Sequence, residues 1–177
     1  MSAMHDRAVW AAQSRIDTPL GPMLLARTAR GLAGAWFEHQ RHHPAPWVAP
    51  MRPDDPLLAS AAQQLDEYFR RERTRFALPL DLHGTAFQTR VWQALLAIEH
   101  GRLGSYAQVA VAVGQASAAR AAGGAIGRNP VSIIVPCHRV LGRAGALTGY
   151  AGGIERKRAL LELEGAWPMD AQRALPM

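Results

Sequence analysis

The sequence holds one cysteine, Cys137, and a histidine, His138, follows it directly. A lone thiol forms no internal disulfide, and without a second thiolate it cannot complete a structural zinc site. It is therefore either an inert buried residue or a nucleophile. A free thiol, with a pKa of about 8.5, is mostly protonated near neutral pH, so nucleophilic use demands a base within reach. His138 is the adjacent base, and a carboxylate is the best group to hold its ring. Glu155, Glu162 and Glu164 are the candidate holders, although each also reads as a solvated helix face. Residues 133–135 form an apolar, strand-like run into Pro136 and Cys137. Neighbouring side chains on a strand point to opposite faces. Either the backbone turns at Pro136-Cys137, or a water links thiol and imidazole.

Two units must position these groups, one over residues 1–83 and one over 84–177, an α/β (α+β) arrangement. The first reads as a small α/β unit with strands at 9–17, 23–28 and 32–38, the first two joined through the Pro- and Gly-bearing stretch 18–22. Residues 39–55 are rich in Pro and His and read as loop. Residues 56–73 place Leu57, Leu58, Ala61, Leu65, Tyr68 and Phe69 at helical spacing, with Pro56 at the first helical position. Residues 76–82 lead across a linker.

The second unit is mostly helical. Thr85-x-x-Gln88 is a capping box before Val91, Trp92, Leu95, Leu96 and Ile98, with Gly101 and Gly104 ending that helix. Ser105-x-x-Gln108 opens a short helix through Val113, stopped by Gly114, and Ser117 is expected to cap a third over 118–126. Two short helices about a tight Gly-containing turn form a helix-turn-helix pattern. The small residues around Arg120 suit either a tightly packed core or a backbone exposed to a partner. Residues 147–153 form a Gly-rich loop that matches neither the P-loop nor the dinucleotide pattern. Residues 154–164 close the unit as a helix with Ala159, Leu160 and Leu163 inward.

Bulk properties narrow the classes further. No apolar run approaches the roughly 20 residues that span a bilayer, so no membrane partner is expected. The charged N-terminus lacks the apolar core of a signal peptide, and with one cysteine a reducing cytoplasm is the expected compartment. The net charge of +6 is uneven: residues 1–83 nearly balance, whereas 84–165 carry nine basic against four acidic residues. Residues 100–154 contain no Asp or Glu but hold Arg102, Arg120, Arg128, Arg139 and Arg143. Such a stretch suits phosphate, because each absent carboxylate is a repulsion removed. An arginine-rich composition, 19 Arg to one Lys, is the bland alternative.

Taken together, Asn129-Pro130-x5-Pro136-Cys137-His138-Arg139-Val140 resembles the active-site signature of the O6-alkylguanine-DNA alkyltransferases, the methylated-DNA–protein-cysteine methyltransferases of bacterial type. The likeness extends through Phe87-Gln88-x-x-Val91-Trp92, Ser105-Tyr106, Ala118-Ala119-Arg120-Ala121, Gly149-Tyr150-x-Gly152-Gly153 and Leu160-Leu161-x-x-Glu164-Gly165. It is strong from about Gly84 to Gly165 and architectural only over 1–83. The resemblance implies a ribonuclease H-like N-terminal domain and a helix-turn-helix C-terminal domain of winged-helix-like character. It implies a DNA-repair transferase that moves the alkyl group of O6-alkylguanine irreversibly to Cys137 after base flipping, with O4-alkylthymine a second candidate substrate. By the same resemblance His138 is the base, acting through a water, and Glu164 is its holder. Asn129 ties the DNA-reading helices to the active-site turn. Tyr106 assists rotation of the flipped nucleotide and protonates guanine N3, and Arg120 fills the emptied stack. Ala121 and Gly124 let the helix into the minor groove, where Arg128 adds a DNA-binding cation. Val140 and Tyr150 line the base pocket, with the Val140 carbonyl facing the exocyclic amine.

Ala151 stands where some relatives place a serine, which leaves backbone N–H groups as the donors to O6. Some relatives hold a structural zinc on N-terminal cysteines; this chain has none there, so no metal and no cofactor is expected. The cluster His39, His42 and His43 has metal-like spacing but lies in a Pro-rich loop. The expected partner is double-stranded DNA, bound by a monomer. Two other readings are a non-transferring lesion-binding or regulatory DNA module, against which the intact Cys137 speaks, and a Cys-His hydrolase, against which the helix-turn-helix and the acid-free arginine stretch speak.

Overall fold

The computed structural model describes residues 9–44 and 49–167. Residues 1–8, 45–48 and 168–177 lie outside the described residues. Three strands, β1 (Trp10–Ile16), β2 (Met23–Thr28) and β3 (Leu32–Phe37), form an antiparallel meander in chain order. Gly21 adopts φ +110° in the turn between β1 and β2, a region open to glycine. Helix α1 (Pro56–Phe69) packs its apolar face, including Leu58, Ala61, Leu65 and Tyr68, against this sheet. The Asp55 carboxylate caps α1 by accepting from the Leu57 and Leu58 N–H groups. The helix is shorter than the expected 56–73, because Arg70 caps it and Arg71 turns into the left-handed region at φ 61°.

All six residues of β3 are buried, which an edge strand with one solvated face would not show. Its outer edge is occupied. The Leu32 N–H donates to Pro79 O and the Asp81 N–H to Leu32 O; the Ala35 N–H donates to Pro130 O and the Ser132 N–H to Ala35 O. The linker and the chain leading to Cys137 thus extend the N-terminal sheet and fasten the two units together.

Helices α2 (Ala86–Leu95) and α3 (Tyr106–Ala112) begin at Thr85 and Ser105 with both halves of each capping box formed. Between them Gly104–Ser105 forms β4, not a helix stop, and pairs in parallel with β5 (Val140–Leu141). Helix α4 (Ala119–Gly127) starts from Ala118 without a side-chain cap, so Ser117 does not play its expected part. Trp92 on α2 donates from Nε1 to Ala125 O of α4 at 2.8 Å, locking the two helices. Helix α5 (Ile154–Leu163) buries Lys157, Leu160 and Leu161, while Ala159 and Leu163 are only half-buried. The fold is thus an N-terminal α/β domain with a mostly helical C-terminal domain. Among the described residues no helix is long and apolar enough to cross a membrane.

Candidate active site

The apolar run before Cys137 is a turn and not a strand. The Ile134 N–H donates to Ser132 O at 2.9 Å, and Ile133 takes φ 73° while almost fully buried. A β-branched residue in the left-handed region is strained, and the packed surroundings hold it there. Cys137–Arg139 then form one 3₁₀ turn capped by Pro136. The backbone therefore turns at Pro136-Cys137, which removes the strand geometry that would have thrown thiol and imidazole to opposite faces.

The thiol is 4% exposed. Asn129 donates from Nδ2 to Cys137 Sγ at 3.1 Å and to Val135 O at 2.8 Å, while its Oδ1 accepts from the Val131 N–H. One amide thus ties the end of α4 to the turn that carries the cysteine. Burial pushes the Cys137 thiol up; the Asn129 hydrogen bond, the Lys157 charge and the local backbone N–H groups oppose it without prevailing. At rest the group is a thiol and needs a base.

His138 is fully buried, with Nε2 2.7 Å from Glu164 Oε1. Arg139 grips the same carboxylate twice, from Nε to Oε2 at 2.9 Å and from Nη2 to Oε1 at 3.0 Å. Tyr68 OH donates to Oε1 at 2.8 Å, and the Gly101 N–H reaches Oε2 at 3.4 Å. Burial alone would raise the Glu164 carboxyl, but the hydrogen bonds and charges of His138 and Arg139 hold it well below the usual carboxylate range. Burial, aided by the Arg139 and Lys157 charges, keeps His138 below the ordinary imidazole value despite Glu164. A neutral imidazole facing an ionised carboxylate donates from Nε2, so Nδ1 presents a lone pair. That atom is buried and has no partner among the described residues.

Beside the turn opens a cleft of about 980 Å³, walled by Tyr106, Arg120, Gly124, Arg128, Gly149, Tyr150 and Ala151. Tyr106, half-buried at the start of α3, donates from its hydroxyl to Thr148 O at 3.2 Å and to Gly149 O at 3.4 Å. Gly149 has φ 60°, and a Cβ there would stand 2.8 Å from the Tyr106 oxygen, so the loop passes the phenol only as glycine. Ala121 lies exposed on α4, away from the cleft walls. Val140 is buried, and its carbonyl accepts from Lys157 Nζ at 2.6 Å. Among the described residues no group of three or more His, Cys, Asp or Glu could hold a metal; the His43 ring instead lies 6.1 Å from that of Trp36.

Lys157 and Arg41 enter the site with no part in the sequence reading, and Arg139 and Arg143, read there only as members of the acid-free arginine stretch, gain specific places. Lys157 bridges β5 and the Gly-rich loop by donating to Val140 O and Thr148 O, both at 2.6 Å. Burial lowers its ammonium to about 8, while Cys137 pulls the other way. Its signal was compositional: one lysine among 19 arginines. Arg139 sat in the signature with no assigned task. Arg41 of the N-terminal domain and Arg143 complete the cleft wall.

Residues 13–82 match the family model of the 6-O-methylguanine DNA methyltransferase ribonuclease-like domain, and residues 86–166 match that of the same family's DNA-binding domain. The chain belongs to the 6-O-methylguanine DNA methyltransferase family. It is 50% identical over 151 residues to the methylated-DNA–protein-cysteine methyltransferase of Mycobacterium tuberculosis strain H37Rv, covering 84% of this chain and 89% of the relative. The protein of the same description from Methanosarcina barkeri is 42% identical over 152 residues, covering 84% and 94%. The crystal structure of Mycobacterium tuberculosis OGT in complex with DNA superposes with a TM-score of 0.81 at 46% identity, covering 91% of this chain and 98% of that one. As a family member the chain has its cysteine and histidine in one turn, behind a cleft whose walls carry arginines and two tyrosines.

Proposed function

We propose that Cys137 is the acceptor in a single-turnover repair reaction on O6-alkylguanine in duplex DNA, with His138 and Glu164 as its relay. The chain is a DNA-repair methyltransferase that binds DNA and transfers an alkyl group from it to a protein cysteine. Its sequence contains one cysteine, which supports Cys137 as the acceptor. The observation that carries the relay is the buried, unpartnered Nδ1 of His138, with Nε2 committed to Glu164.

The steps follow from these groups. The target base leaves the stack, since O6 is out of reach of a buried thiol in an intact duplex. Nδ1 takes the thiol proton through a bridging water, and Glu164, fixed by Arg139, stabilises the imidazolium so formed. The Asn129 amide and the Lys157 charge favour the thiolate. Sγ forms a bond to the alkyl carbon as the C–O6 bond breaks, and the bonding pair leaves with the guanine. Tyr106 supplies a proton to N3 of the departing purine. The product thioether is not reopened by thiol exchange, so the molecule works once. Tyr150 and the backbone at Ala151 shape the base pocket, while Arg120, Arg128 and the exposed small residues Ala121 and Gly124 engage the minor groove. The protein acts as a cytoplasmic monomer, with residues 1–83 supporting 84–177.

A single-turnover assay on duplex DNA containing O6-methylguanine tests the relay. His138→Ala keeps the acceptor but should slow transfer on the order of 10²- to 10⁴-fold, the range of general-base assistance. Transfer by His138→Ala at the wild-type rate would remove His138 from the mechanism.

A further inference from the structure

The Glu164 carboxylate is contacted by His138, Arg139 and the Gly101 N–H, all from the C-terminal half, and by one side chain of the N-terminal half. That side chain is Tyr68, the last buried residue of α1, 96 positions from Glu164 in sequence. Its hydroxyl shares Oε1 with the His138 ring at nearly equal distance, 2.8 against 2.7 Å. The Tyr68 ring is 1% exposed and is wedged by Phe69, Phe76 and His100, with centroids 5.4, 5.6 and 6.2 Å away. Burial and the Glu164 charge keep the phenol protonated far beyond the ordinary range. It is thus a permanent donor to the carboxylate that faces the base.

We propose that Tyr68 is a positioning residue for alkyl transfer: its hydroxyl fixes Glu164 and sets the basicity of His138, making α1 part of the relay. The inference rests on the relay reading above. Hydrogen bonding to a carboxylate spreads its charge and weakens its support for a facing imidazolium. The other charged or titratable groups around this pair are Arg139, Cys137, Lys157 and the buried Tyr150, with His100 behind the phenol. None of them donates to Oε1 from the N-terminal side. Removing the Tyr68 hydroxyl therefore concentrates charge on Oε1, favours protonated His138 and raises its titration point.

Full-length Tyr68→Phe keeps the ring wedge and deletes only the hydroxyl. The acid limb of its single-turnover pH profile, and the His138 ring titration followed by NMR, should both move up by about half a pH unit, a part of what one charge-assisted hydrogen bond can supply. Replacing Tyr68 with 3,5-difluorotyrosine, a more acidic and stronger donor, should move both downward. Phe76→Leu, which alters the wedge without touching Glu164, should move neither. If Tyr68→Phe and the fluorinated protein titrate as wild type, or if Phe76→Leu shifts the limb equally, the inference is overturned. Failure of the wild-type protein itself to alkylate Cys137 would instead overturn the relay reading beneath it.

Discussion

Cys137 cannot ionise unaided, because burial pushes its thiol up, and this makes the surrounding charges decisive. His138 must be neutral to accept the proton, and its titration lies below the ordinary imidazole value of about 6.5. The rate of transfer should therefore hold from neutrality down through pH 6.5 and decline only at lower pH. On the alkaline side Lys157 loses its proton near pH 8, and with it the positive charge that favours the thiolate. The rate should fall as pH rises through about 8, and Lys157→Met should be slower and lack this alkaline limb; a limb retained in that variant excludes Lys157. The Cys-His pair, Glu164 and Asn129 were legible in the sequence because each lies in a contiguous signature. Tyr68 was not: it sits on the apolar stripe of α1 and reads as core, and its polar tip meets Glu164 only once both domains are folded.

At the scale of elements, the reciprocal local signals held, whereas the lone Ser117 did not cap α4. Both capping boxes formed as read, since a box needs only four consecutive residues. Non-local pairings were invisible: β4 and β5 are two residues each and meet across 34 intervening residues, which converts an apparent helix stop at Gly104 into a strand. The run before Cys137 misled because apolar β-branched residues imply extended chain, whereas packing forces Ile133 into the left-handed region. Helix α4 carries a testable contrast. A Cβ at Gly124 would meet nothing within 4 Å, and Gly124 lies on the cleft wall. Gly124→Ala should raise stability by roughly 0.5–1 kcal/mol in denaturant unfolding, the usual gain for glycine replaced within a helix. Gly124→Leu should fold equally well yet weaken duplex binding by about tenfold or more, roughly 1.4 kcal/mol. Unchanged affinity in Gly124→Leu would mean that α4 does not face the DNA.

For the molecule as a whole, the charge asymmetry was legible and its assembly was not. The acid-free stretch supplies Arg120, Arg128 and Arg143 to the cleft, but the N-terminal domain, nearly neutral in sequence, adds Arg41 to the same wall. The Arg41 N–H donates to Ala151 O at 2.9 Å, which fastens this part of the N-terminal domain to the base-pocket loop. Removing one phosphate contact lowers the slope of log affinity against log salt by about 0.9. Arg41→Ala should show that change in duplex binding while leaving the rate of transfer at saturating DNA unaltered; an unchanged slope would confine DNA contact to the C-terminal half. One-use transfer to Cys137 leaves a permanent mark on the protein, which intact-mass measurement with peptide mapping reads. After incubation with excess duplex containing O6-methylguanine, each molecule should gain a single methyl group, mapped to Cys137, and Cys137→Ser should gain none. A protein that repairs the DNA while its own mass stays unchanged, or that carries the methyl on another residue, would rule out Cys137 as the one-use acceptor.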